Sequence, residues 1–219
     1  MKKILLIGFF TLTVICGVFA SGLKDETVVN LGYTMPTVSA FDVDDAENYT
    51  KSLSNGMDIS FRTYDSGLFG TYIGCDILWP HKITQFYGDD ELWSNKYDDI
   101  YDDVSQYDVS VGLYSPILNF GFVKVPFGAG IHANLMVTEK EGIYPVKDTK
   151  TTNLNIGLNV WAKAEISLTK NIGLYAGLDV TYDFYGFNWI KVENTDPQTS
   201  QDKIKNWGIA PSVGVAFRF

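Results

Sequence analysis

Eight stretches of this chain alternate apolar with small, polar or charged residues at a period of two, and nothing else constrains its fold as strongly. The longest runs from 154 to 168. There Leu154, Ile156, Leu158, Val160, Ala162, Ala164, Ile166 and Leu168 interleave with Asn155, Gly157, Asn159, Trp161, Lys163, Glu165 and Ser167. The others span 28–35, 56–64, 68–79, 107–114, 125–137, 172–184 and 207–219. Each is a strand with two chemically different faces, so the chain is expected to be all-β.

The connections alternate in length. Turn-forming residues mark short links at Asp65–Ser66–Gly67, at 115–119 and at Thr169–Lys170–Asn171. Long polar links fall at 37–55, 80–106, 139–152 and 186–206. Short and long links in turn around eight strands describe an up-and-down antiparallel barrel.

Alternation alone fits a soluble barrel or sandwich as well as a membrane barrel. The composition of the two faces separates them. One set is bulky and almost free of charge on every strand. The other holds glycine, a few large aromatics and the ionisable groups Asp58, Arg62, Asp76, Asp108, Lys163, Glu165, Asp179, Asp183 and Arg218. A soluble barrel hides the apolar set; here the charges pair across a narrow lumen and the apolar set meets hydrocarbon. The expected fold is an eight-stranded antiparallel transmembrane β-barrel.

A barrel in lipid has to close, because each orphan backbone group at an open edge costs several kcal/mol. That gives a reason for the last segment, in which Val213, Val215, Phe217 and Phe219 keep the two-residue period up to the final residue. The last strand is expected to pair with the first along its whole length.

At the other end, Lys2 and Lys3 precede an uncharged, mostly apolar run and then Val18-Phe19-Ala20. The run is shorter than the ~20 residues of a spanning helix. It reads as a secretory signal peptide, residues 1–20, cleaved after Ala20, followed by a single barrel domain at 21–219. Of 17 Lys and Arg, two leave with the leader, so 15 face 26 acidic residues in the remainder. This makes nucleic acid and anionic lipid poor charge-matched partners. Cys75 is then the remaining cysteine, and no disulfide within the chain is expected.

Catalytic patterns are absent. His132 is expected in the lumen as a hydrogen-bonding residue and His81 in a loop, without a nucleophile spacing around either. No cofactor motif appears. Glycines on the inward set make room for Tyr72, Tyr114, Trp161, Tyr175 and Tyr185 on the same face, as small barrels mix small and large residues to fill their taper. The second long link carries Asp89, Asp90, Glu91, Asp98, Asp99, Asp102 and Asp103 with Lys96 as a basic neighbour. It is expected to be a solvated loop, with weak Ca²⁺ binding as the sharper alternative.

The leader, the eight alternating strands and the terminal "VGVAFRF" resemble the small bacterial outer-membrane barrels of the OmpA, OmpX and OmpW type. The resemblance covers the whole chain after the leader and marks the class, not a branch within it. It implies export to the outer membrane of a diderm bacterium, surrounding lipid as a partner, and recognition of Val213, Val215, Phe217 and Phe219 by the barrel assembly machinery. Two functions are compatible with it. One is a non-catalytic, monomeric surface barrel whose four long loops meet a host or surface ligand or support membrane integrity. The other is a transporter for a small apolar or ionic solute. Between them the lumen decides, and it is expected to be plugged around Arg62, Lys163 and Glu165 beneath an acidic outer vestibule.

Overall fold

The structure, a computed structural model, describes residues 26–41, 49–64, 70–87, 90–96, 101–141 and 147–219. Residues 1–20, read above as a leader, and residues 65–67, read as a short link, lie outside the described residues. Ten strands form one antiparallel sheet: β1 (Glu26–Thr34), β2 (Thr37–Phe41), β3 (Tyr49–Tyr64), β4 (Gly70–Tyr87), β5 (Asp90–Lys96), β6 (Asp103–Asn119), β7 (Val123–Lys140), β8 (Thr149–Ser167), β9 (Ile172–Val192) and β10 (Gln198–Arg218).

The ten strands make eight staves. β1 pairs Thr34 with Ser212 of β10, and β2 pairs Thr37 with Ile209, so the register runs on without a shift between them. Pro36 lacks an N–H to donate, which divides the strand in name only. β5 pairs with β4 alone and stands beside the ring as the arm of a hairpin. Closure is the β1–β10 pairing, from Val28↔Arg218 to Thr34↔Ser212. Beyond it, Phe219 N–H still donates to the Thr27 carbonyl at 3.0 Å. The terminal strand is thus paired to its last residue.

The inside-out distribution is plain. Met57 and Leu113 are 69% and 68% exposed, whereas Arg62 and Lys163 are 1% and 2% exposed. On β10 the outward residues from Phe217 to Trp207 cover about 25 Å along the barrel axis, for a rise of ~3.3 Å and a tilt of ~40°. Tyr182 and Trp207, a cross-strand pair with ring centroids 4.7 Å apart, cap that band at its loop end. Phe120, Phe122 and Phe219 are exposed at the turn end. Cys75 faces outward but is covered by Phe61, Trp79 and Tyr107.

Three boundaries differ from those read in the sequence. The segment 115–119 is strand, and the turn lies at Phe120–Phe122, with Gly121 at φ 81°. Most of the long links are strand too: β9 and β10 leave only 193–197 between them. An extension such as "QTSQ" is exposed on both faces, so the apolar alternation stops while the backbone ladder continues. The third difference is a bulge. Ile156 pairs with Tyr185 but Gly157 with Asp183, so Phe184 is extra in β9. The bulge reverses the parity above it, and Tyr185, expected in the lumen, turns outward and packs on Phe187, which stacks on Trp189.

Candidate functional site: the barrel lumen

Staves that are not neighbours in the ring touch one another through its interior. Arg62 on β3 reaches Asp179 on β9, and Tyr72 on β4 bonds Asn159 on β8. These contacts sort into three layers.

The lowest, at the turn end, is an ionic chain. Arg218 Nη2 donates to Glu165 Oε2 at 2.6 Å and its Nη1 to Ser167 Oγ at 2.7 Å. Arg218 Nε lies 3.4 Å from Glu26 Oε1, and Glu26 also receives Lys124 Nζ at 3.1 Å. Glu26 is absent from the charge set drawn from the sequence because the alternation was read from residue 28. Continuing the even parity of Val28, Asn30 and Gly32 would have found it.

The middle layer is the tightest. Arg62 Nη2 sits between Asp76 Oδ2 at 3.0 Å and Asp179 Oδ1 at 3.2 Å. Its guanidinium lies 4.8 Å from the Trp161 ring centroid. Trp161 packs edge-on to Tyr72 at 5.2 Å and stacks with Tyr114 at 6.5 Å. Lys163 Nζ donates to Ser60 Oγ at 3.1 Å and stands 5.0 Å from the Tyr175 ring. Tyr72, Trp161, Arg62 and Lys163 are each at most 2% exposed. An eight-stranded barrel is about as wide inside as the side chains that fill it, and here an indole, three phenols and two long cations share one level.

Above them lies the His132 layer. Its Nδ1 is 2.6 Å from Asp108 Oδ2, which also accepts from Asn134 Nδ2 at 3.3 Å. Nε2 is 2.8 Å from Asp183 Oδ1, close enough for an ion pair but without the alignment of a hydrogen bond. With a carboxylate at each ring nitrogen, the imidazole has no nitrogen left to activate a nucleophile. The sequence marked His132 as inward; it did not mark the two carboxylates as its partners, because Asp108 and Asp183 come from different staves.

The nine charges read from the sequence therefore all lie on the inner face. Asp76 and Asp179 share Arg62, Asp108 and Asp183 share His132, Glu165 holds Arg218, and Lys163 holds a hydroxyl. Asp58 joins none of these pairs. It lines a cavity of about 160 Å³ above the middle layer, together with Asp76, Asp108, His132, Asp179 and Asp183.

The acidic second link is described in part. Asp89, Asp98 and Asp99 fall outside the described residues, and Asp90 and Glu91 belong to β5. Asp102 accepts from the backbone N–H of Glu141, and Asp103 begins β6. Val213, Val215 and Phe217 face outward on β10, paired with Tyr33, Leu31 and Val29.

Comparison with protein-family models and with curated protein sequences found no match. Solved structures do match. OprG, an outer membrane protein from Pseudomonas aeruginosa, superposes with a TM-score of 0.51 at 11% identity, over 89% of this chain and 95% of that one. The outer membrane protein AlkL, determined in DMPC lipid bilayers, gives 0.50 at 10% identity over 90% and 91%. A major outer membrane protein from Thermus thermophilus gives 0.49 at 15% identity over 86% and 99%. The fold is that of the small bacterial outer-membrane β-barrels.

Proposed function

We propose that the protein is a non-catalytic integral outer-membrane barrel, exported by its N-terminal leader, whose closed lumen serves as a rigid support for the surface displayed at its loop end. The observation that carries this reading is the middle layer. Arg62, Tyr72, Trp161 and Lys163 fill the lumen with almost no exposure, and their ion pairs and ring contacts join opposite walls. A solute would have to break several of these contacts at once to pass.

In this reading the turn end faces the periplasm, and the strand extensions beyond Trp207 stand outside with the loops for contact with a host or surface ligand. The barrel works as a monomer among outer-membrane lipids, placed there by the assembly machinery through Val213, Val215, Phe217 and Phe219. Transport of a small solute is the competing function, and it requires the middle layer to open. Planar-bilayer recording of the refolded protein separates the two. Silence, or brief events far below porin size, is the expected result; steady, reproducible, porin-sized conductance would sink the proposal.

A further inference from the structure

The cavity above the middle layer has an unbalanced wall. Two of its carboxylates, Asp76 and Asp179, are matched by Arg62, and two more, Asp108 and Asp183, by His132. Asp58 is 8% exposed, and among the described residues it makes no ion pair and its Oδ1 has no hydrogen-bond partner. Lys163, the other cation of the wall, directs its Nζ to Ser60. A buried carboxylate without a partner is costly in a low-dielectric site. A second group tells the same story without charge. Ser212, 7% exposed and on the same wall, has an Oγ without a partner among the described residues.

The geometry points to this cavity as a binding site for a small organic cation, an alkylammonium compound anchored on Asp58 and Ser212. The ammonium donates to the Asp58 carboxylate and to Ser212 Oγ, both of which accept. Its alkyl part finds Pro36, Leu78 and Ala210 on the wall. At 160 Å³ the space equals roughly five waters at ~30 Å³ each, or an amine of about five or six heavy atoms. A bare divalent ion fits less well. Among the described residues no three carboxylates or imidazoles converge as metal ligands do, and four of the cavity's five aspartates already face Arg62 or His132. This site does not depend on whether the middle layer below it ever opens.

Calorimetry on the refolded, leaderless chain in detergent tests it, with n-butylammonium, n-butanol and calcium chloride as separate probes. Butylammonium should bind saturably at millimolar concentration or below, with butanol and calcium giving no saturable heat. Asp58→Asn should weaken butylammonium by about tenfold or more, the worth of a charge-assisted hydrogen bond, and Ser212→Ala by a few-fold. Equal binding of butanol, calcium binding that Asp58→Asn abolishes, an unaffected Asp58→Asn protein, or no binding up to about 100 mM would each overturn the assignment. If Asp58→Asn does not fold, the wild-type backbone amides of Gly32 and Asp58, a cross-strand pair, decide: they shift on butylammonium addition or the site is wrong.

Discussion

Gly128 of β7 lies directly across from Trp161 of β8, and a Cβ at that glycine would run into the indole. The missing side chain is what lets the largest residue of the lumen lie flat against the wall and reach Arg62, Tyr72 and Tyr114. Gly128→Ala should therefore destabilise the barrel by about 1–3 kcal/mol, as overpacking does in a filled interior. Urea unfolding in lipid vesicles, followed by tryptophan fluorescence, measures this. A change below about 0.5 kcal/mol would mean that Trp161 has room to move.

Arg62 carries a larger stake. Replacing it with Met leaves Asp76 and Asp179 facing each other without their shared cation. Breaking a buried pair from one side costs about 3–5 kcal/mol, chiefly through the charge left behind. The triple variant Arg62→Met, Asp76→Asn, Asp179→Asn should recover most of that loss. Were the triple no more stable than the single variant, the cation–π contact with Trp161 would be the main role of Arg62.

The plan of the barrel was legible because two-sided burial repeats at every strand. Where that condition fails, legibility fails with it. Residues 198–203 carry no apolar alternation because both faces meet water, so they read as loop although the ladder continues through them. Tyr185 was misplaced for another reason. A single extra residue, Phe184, reverses every face above it, and nothing in "YDFYGFNW" marks which residue is extra. In the lumen, the sequence supplied which residues face inward, since parity determines that. It did not supply who pairs with whom across the ring, because those contacts depend on the number of staves and their stagger.

The bulge has a measurable consequence. Trp207 belongs to the loop-end girdle, whereas Trp189 lies higher on the outer face, about 10 Å or more beyond it by the rise and tilt of the strands. In vesicles of brominated lipid, a protein retaining Trp207 alone should be quenched strongly and one retaining Trp189 alone weakly. Aqueous iodide should reverse the order. Equal quenching of both by lipid would place Trp189 in the bilayer and move the outer boundary of the barrel.

Lys163 offers a test that separates stability from permeability. It lies on the middle layer, 2% exposed, with Ser60 as hydrogen-bond acceptor and the Tyr175 ring beside it. Lys163→Met keeps most of the apolar stem and removes the charge from among the acidic residues above. The barrel should lose about 2–3 kcal/mol of stability, toward the lower end for a buried pair broken from one side, because its partner is a hydroxyl. Conductance should stay unchanged, since Arg62, Trp161 and Tyr72 still fill the same level. A variant that keeps its urea midpoint but conducts steadily would make Lys163 a gate and reverse the order of the two proposed functions.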